Sequence, residues 1–225
     1  MKILQRLPKE NARAYATRVL MHNIMTLELA PGSAISENEL STALSLSRTP
    51  IREAMIELAR MDLVEIIPQR GSYVTRINYE SIEESRFMRL VLENAVLKLA
   101  CEGIPDQYYI LMEQNLDLQR QFWKSGEVEK FLRLDDEFHQ LIFKSVNKSR
   151  TYQVVKHAML QFDRLRTIST IAGMNQYTIK DHEDILYALR RKDAELAEVI
   201  MTRHLTRHNM EKDELHRIHP EYFVD

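Results

Sequence analysis

The sequence has a single cysteine, five glycines and six prolines among 225 residues, and no stretch of 18 consecutive apolar residues. One cysteine, Cys101, excludes an intramolecular disulfide and is typical of a reducing compartment. The few glycines and prolines leave little material for turns, so we expect long helices with short connections. The N-terminus lacks an apolar core of signal-peptide length. These absences together predict a cytoplasmic protein without a membrane span.

Charge of both signs is present in nearly equal amounts, with 31 Lys and Arg against 33 Asp and Glu and a formal net charge of −2. Residues 1–76 carry ten basic and eight acidic side chains, whereas the remainder carries 21 and 25. A net charge of +2 over the N-terminal part permits nucleic-acid binding without requiring it. Any DNA contact must therefore come from locally clustered arginines.

The region around residue 50 has the pattern of a helix-turn-helix. Ser36 and Glu39 have the spacing of a capping box that opens a short helix. A second helix over residues 47–58 has apolar side chains at i, i+3, i+4 and i+7. Arg48 and Arg52 lie on its opposite face, near an end whose dipole disfavours cations. An anionic partner such as a DNA phosphate or base edge explains them; the alternative is a solvated surface helix.

The segment after residue 63 changes to the alternation of a strand. Residues 64–67 and 72–75 flank Pro68-Gln69-Arg70-Gly71, a hairpin with a glycine available for positive φ. A hairpin that follows a helix-turn-helix is a wing, and Arg70 and Gly71 at its tip can approach a phosphate backbone. Residues 1–77 are therefore predicted to form a winged helix-turn-helix DNA-binding domain.

The stretch PGSAISENELSTALSLSRTPIREAMIELARMDLVEIIPQRGSYV resembles the winged helix of the GntR family of bacterial transcription regulators over its whole length. Its most characteristic part is Ser-Arg-Thr-Pro-Ile-Arg-Glu-Ala at residues 47–54. The resemblance implies contacts with a double-stranded DNA operator from Ser47, Arg48, Thr49, Arg52 and Gly71. Arg48 or Arg52 is expected to read bases, because arginine donates two parallel hydrogen bonds to guanine. Hydroxyl groups and the wing are expected to contact the backbone.

The remainder of the chain, residues 79–225, has helical patterns throughout. Short connections separate six predicted helices, at about 81–101, 106–124, 127–146, 150–172, 178–190 and 193–216. Such a series predicts an all-α antiparallel helical bundle, so the chain as a whole is expected to be mainly α.

Histidines and one aspartate in this bundle have the spacing of a metal site. Asp135 and His139 are one helical turn apart, and together with His182 and His204 from two other helices they could hold a divalent ion. Alternatively, Asp135 and His139 form a buried pair and the other histidines lie at the surface. A further alternative pairs His204 with His208, four residues later.

Segments of the bundle resemble the all-helical ligand-sensing domain of the FadR subfamily, of the FCD type. These segments are residues 89–93, 134–139, 181–185 and 194–205. In metal-binding members the ligands match Asp135, His139, His182 and His204, and this favours the metal site over its alternatives. Arg89 matches an arginine that lines the effector pocket, where a guanidinium beside a cation suits a small carboxylate. The alternative for Arg89 is a surface ion pair with Glu93.

These observations predict a homodimeric, metal-containing transcription repressor in which residues 79–225 bind a small organic acid and form the dimer. Zinc is the first expectation for the ion, and nickel, manganese and iron also accept histidine-rich ligation. The competing hypothesis is a metal-dependent enzyme that activates a water molecule at the same four ligands. A winged helix would have no role in such an enzyme.

Overall fold

The computed structural model describes residues 1–175, 177–207 and 211–224 of the chain. The predicted architecture is confirmed, because an N-terminal winged helix precedes a C-terminal helical bundle. The N-terminal elements are α1 (Ala12–Met25), β1 (Ala34–Ile35), α2 (Glu37–Leu44), α3 (Arg48–Ala59), β2 (Val64–Ile67) and β3 (Gly71–Val74). The helices of the bundle are α4 (Tyr79–Glu102), α5 (Asp106–Ser125), α6 (Val128–Ser145), α7 (Ser149–Ala158), α8 (Leu160–Ile171), α9 (Thr178–Arg191), α10 (Ala194–Thr206) and α11 (Lys212–Ile218).

The winged helix is organised by α3, whose apolar stripe packs against α1. The hydroxyl of Ser36 accepts a hydrogen bond from the Glu39 amide and begins α2. The α2–α3 turn passes through Ser45, at a φ of 52°. In the sheet β3 lies between β1 and β2, and both neighbours are antiparallel to it. The two-residue strand β1 was not predicted, because two residues show no alternation.

The helices of the bundle differ from the sequence-based prediction in three places. The prediction of one helix over 193–216 was wrong, because α10 ends at Thr206 and α11 is a separate helix that begins at Lys212. α4 begins earlier than expected, because the side chain of Asn78 accepts a hydrogen bond from the Glu80 amide and acts as the cap. The helix predicted over 150–172 is divided at Met159 into α7 and α8. The Ser85 hydroxyl on α4 donates to the Ala158 carbonyl at the end of α7, with an oxygen–oxygen distance of 2.8 Å. This bond gives a carbonyl at the end of α7 a hydrogen-bond partner and stabilises the break.

The winged helix and the bundle meet along α8. Gln161 donates a hydrogen bond to the Asp62 carbonyl at 2.5 Å, and Arg164 donates to the Thr75 carbonyl at 2.6 Å. Arg164 is fully buried there, and burial lowers its pKa to about 10. The first residue of α8, Leu160, packs against the core of the winged helix. A shift of α8 would therefore move Asp62 and Thr75, which flank the wing.

The C-terminal segment returns to the connection between the two parts. The Ile77 amide donates to the Tyr222 carbonyl at 2.8 Å, and the Val224 amide donates to the Ile77 carbonyl at 3.0 Å. The rings of Tyr79 and Phe223 stack, with centroids 5.1 Å apart. These contacts hold the start of α4 in place. Within the described ranges, no helix has the length and apolar character needed to cross a membrane.

Candidate metal centre and nucleic-acid interface

Four side chains from three helices of the bundle converge at one point. Asp135 and His139 extend from α6, His182 from α9 and His204 from α10. One ligand atom from each lies within 4.8 Å of the others. Asp135, His139 and His182 are buried, and His204 is partly buried. The i, i+4 spacing on α6 directs both of its ligands to the same side of the helix, and the packing of α9 and α10 supplies the other two.

The histidines present their Nε2 atoms to the centre of this group. The Nε2 atoms of His139 and His204 are 3.2 Å apart, and that of His182 is 3.6 Å from Asp135 Oδ1. His182 Nε2 is buried and has no hydrogen-bond partner among the described residues. A buried polar atom without a partner is costly, and a bound cation would satisfy it.

The opposite ring nitrogen of each histidine faces an oxygen of a neighbouring side chain. His139 Nδ1 donates to Glu93 Oε2 at 2.5 Å, and His182 Nδ1 donates to Gln119 Oε1 at 3.0 Å. His204 Nδ1 lies 3.6 Å from Asp181 Oδ2. Oxygens in these positions fix the tautomer that leaves the Nε2 lone pair free, as outer partners do in metal sites. The residues present therefore fit a divalent cation.

Burial and neighbouring charges set the protonation of the group. Burial lowers the pKa values of His139 and His182, so both rings stay neutral, the form that binds metals. Burial alone would raise the pKa of Glu93. The charge of Arg89 and the hydrogen bonds that His139 and Arg89 donate outweigh burial and lower it to about 2. Glu93 is therefore a buried anion beside a neutral imidazole.

Arg166 on α8 contacts the candidate ligand Asp135, and the sequence did not single it out. Its guanidinium contacts Asp135, and it donates to Asp136 Oδ1 at 2.9 Å and Asp163 Oδ1 at 2.7 Å. Burial opposes ionisation of Asp135, but the positive charge of Arg166 lowers the pKa of this carboxyl. The sequence signal that could have indicated such an arginine was the Asp135-Asp136 doublet on a helix with a buried face, because two adjacent carboxylates there need a cationic partner.

A cavity of about 40 Å³ lies beside the converging ligands. Its lining includes Arg89, Asp135, Arg166, Ser169 and His204. This volume accommodates about three water molecules. Arg89 also pairs with Glu93, with an N–O distance of 2.5 Å, but both side chains are buried and the pair does not lie at the surface. The sequence-based alternative of a His204–His208 pair involves a residue outside the described ranges.

The predicted DNA-contacting residues lie exposed on the winged helix. Ser47, Arg48, Thr49 and Arg52 stand at the start of α3, and Arg70 and Gly71 are at the tip of the hairpin. Ser47 occupies the cap position of α3, but its side chain makes no capping bond. The Tyr73 hydroxyl donates to the Arg70 carbonyl at 3.0 Å and braces the tip. Gly71 has a φ of 113°, a conformation that favours glycine.

Comparison with known proteins identifies both parts of the chain. The bacterial regulatory protein gntR family matches residues 13–74, and the FCD domain family matches residues 84–207. The HTH-type transcriptional repressor RspR of Escherichia coli K12 is 33% identical over 199 residues, covering 88% of this chain and 87% of that protein. The uncharacterized HTH-type transcriptional regulator YdfH of E. coli O6:H1 is 34% identical, covering 88% and 86%.

Solved structures have the same fold at lower sequence identity. The E. coli protein McbR/YncC matches with a TM-score of 0.73 and 19% identity, covering 92% of this chain and 98% of that one. A GntR-type regulator from Rhodococcus sp. RHA1 matches with a TM-score of 0.72 and 21% identity, covering 93% and 98%. The relatives are transcription regulators and not enzymes, so the hypothesis of a metal-dependent enzyme is set aside. The chain belongs to the GntR family of bacterial transcription regulators and carries an FCD domain after its winged helix.

Proposed function

We propose that this protein is a cytoplasmic, homodimeric repressor that contains a divalent metal ion and responds to a small carboxylate. The observation that carries the proposal is the convergence of three Nε2 atoms and one carboxylate, with each Nδ1 facing an oxygen. A relative named as a transcriptional repressor, 33% identical to this chain, supports repression. A second relative, the gluconate operon transcriptional repressor of Bacillus licheniformis, is 25% identical.

The proposed ion would be held by Asp135, His139, His182 and His204. Three imidazoles and one carboxylate suit zinc first, and nickel, manganese or iron as alternatives. When bound, the metal would supply an electrophilic centre with positions open to an oxygen ligand. Asp135 would then share its charge between the ion and Arg166. His182 would gain the partner that its buried Nε2 lacks.

The proposed effector would bind in the cavity lined by Arg89 and Arg166. A carboxylate placed there could contact the ion and accept hydrogen bonds from a guanidinium at the same time. Arg89 uses its Nε atom to bind Glu93, which leaves its terminal nitrogens to donate. A cavity of about 40 Å³ favours a small organic acid over a long acyl chain.

Metal content tests the first half of this function. Purified wild-type protein is expected to contain one equivalent of a divalent metal by elemental analysis, and His139→Ala is expected to lose it because a ligand is removed. His157→Ala is the matched control, because His157 is exposed on α7. Equal metal content in the His139 and His157 variants would refute the site.

Operator release tests the second half. An operator is first selected from a pool of random DNA duplexes, and its affinity is then measured by fluorescence anisotropy during titration with small mono- and dicarboxylates. An active acid should change operator affinity in the wild-type protein. Arg89→Ala should keep its metal and its operator affinity but lose the response. An unchanged response in Arg89→Ala would remove this arginine from the effector site.

A further inference from the structure

A second and much larger cavity lies between the winged helix and the bundle. Its volume is about 440 Å³, within the range of about 300–1,000 Å³ that is typical of small-molecule sites. Helix α1 forms one wall, and α6 and α8 form most of the other. The apolar part of the lining includes Met21, Met25, Leu132, Leu160 and Ile171. The proposed metal ligands do not line it.

Two side chains that line this cavity have nitrogen atoms without a hydrogen-bond partner among the described residues. Arg133 on α6 is exposed and makes no ion pair or hydrogen bond with any other described residue. His22 on α1 has a buried Nε2 atom without a partner, and its Nδ1 lies 3.8 Å from Glu129 Oε1. Glu129 and Arg133 are one turn apart on α6, so Arg133 projects from the same side of the helix as the residue that contacts His22.

The acidic side chains of the cavity, in contrast, already have cationic partners. Lys156 donates to Asp136 at 2.6 Å and to Asp163 at 2.5 Å, and Arg166 contacts both carboxylates. Glu129 Oε2 lies 3.8 Å from Lys2 Nζ. A cationic ligand would have to displace one of these partners. An anionic ligand would meet the free guanidinium of Arg133.

We propose that the interdomain cavity binds a small amphipathic acid, whose apolar body lies between α1 and α8 and whose carboxylate contacts Arg133. This site is separate from the metal centre and does not depend on a metal. Its ligand would contact the winged helix and the bundle together. It would also lie against Arg166, which holds Asp135 of the metal centre. Binding at the two sites is therefore expected to be coupled, and such coupling is reciprocal.

The probe for this site is naphthalene-2-carboxylate, with naphthalene-2-methanol as an uncharged compound of the same shape. Titration calorimetry is carried out on full-length protein treated with a chelator, so that no metal can capture the carboxylate. We expect saturable binding of the carboxylate, and much weaker binding of the alcohol. Equal binding of the two compounds would refute the anion-binding role of the cavity.

Substitutions locate the probe. Arg133→Ala should weaken binding by about fivefold, the upper end for a solvent-exposed ion pair. Leu160→Trp and Met25→Trp fill the cavity from opposite walls, and at least one that retains the wild-type melting profile should abolish binding. Arg150→Ala, an exposed arginine on α7 outside the cavity, should bind normally. Loss of binding in Arg89→Ala, with Arg133→Ala and both tryptophan variants unaffected, would place the probe in the small cavity and overturn the proposal.

Discussion

Glu93 is the residue that connects the proposed effector side of the centre to its proposed metal side. One of its oxygens contacts Arg89 and the other accepts the His139 Nδ1 proton, both at 2.5 Å. The buried Glu93 carboxylate therefore orients both His139, a candidate metal ligand, and Arg89. Movement of Arg89 toward an effector would alter the hydrogen bond that positions His139.

The low pKa of Glu93 makes the stability of the metal-free protein depend on pH. Its pKa is about 2 in the folded protein against 4.5 as the ordinary value, so its contribution is present above pH 4.5 and is lost as the pH falls toward 2. The shift corresponds to a contribution on the order of 3 kcal/mol. Glu93→Gln should lower the midpoint of urea unfolding at pH 7, and the midpoint of this variant should depend less on pH between 5 and 3. Unfolding of the chelator-treated protein is followed by circular dichroism.

A variant of an exposed acidic residue on α6, Glu137→Gln, is the control for this measurement and should retain both the wild-type midpoint and its pH dependence. If the urea midpoints of Glu93→Gln and the wild-type protein changed equally with pH, the Glu93 carboxylate would not be stabilised by Arg89 and His139.

The sequence predicted which four side chains converge better than it predicted their surroundings. The spacing of Asp135 and His139 places both on one side of α6, whichever way the helix packs. Gln119, Asp181 and Arg166 come from three other helices, and only the packing of those helices brings them to the site. The Arg89–Glu93 pair was considered only as a surface alternative, and its burial could not be predicted because burial depends on what covers α4.

At the scale of elements, periodicity and capping signals determined most of the fold. The capping box at Ser36 and the apolar stripe of α3 predicted the helix-turn-helix, and the change to alternation predicted the hairpin. The break between α7 and α8 was missed, because the segment around Met159 contains neither glycine nor proline. The bond from Ser85 that stabilises the break is a tertiary contact, which a local pattern does not reveal.

The start of α3 carries the prediction for DNA binding. Arg52 is 74% exposed and lies 3.8 Å from Glu37, so this weak contact leaves it available to DNA. Arg52→Ala should weaken operator binding by about 1–3 kcal/mol and relax specificity at one base pair if it contacts a guanine. If Arg52 contacts a phosphate, the slope of the logarithm of operator affinity against the logarithm of salt concentration should fall in magnitude by about one, and the sequence specificity should not change.

Arg60→Ala at the opposite end of α3 is the matched control, since the base-reading end of a recognition helix is its N-terminus. Both variants should melt like the wild-type protein. Operator affinity that is lower in Arg60→Ala than in Arg52→Ala would contradict the assignment of the reading end.

At the scale of the whole molecule, α8 connects the centre to the wing. Arg166 contacts Asp135 at the centre, and two residues earlier Arg164 binds the Thr75 carbonyl after β3. Charge added at the centre by an ion or an acid would change what Arg166 contacts. A helix moves as a rigid element, so the change would reach Thr75 without a chain of loop movements. A switch of this kind requires the ligand to bind one arrangement more tightly than the other.

An exposed apolar strip on α4 carries the prediction for the homodimer. Phe87, Met88 and Val91 are 64%, 43% and 51% exposed, and Phe87 and Val91 are one helical turn apart. Covering such a strip with a second copy removes apolar surface from water. Phe87→Glu should therefore shift the protein from dimer to monomer in sedimentation equilibrium. It should also weaken operator binding, because two linked winged helices bind DNA more tightly than one. Ile110→Glu, at a 54% exposed position on α5, should remain dimeric. A dimeric Phe87→Glu protein would exclude this strip as the interface, and a monomeric wild-type protein would exclude the dimer itself.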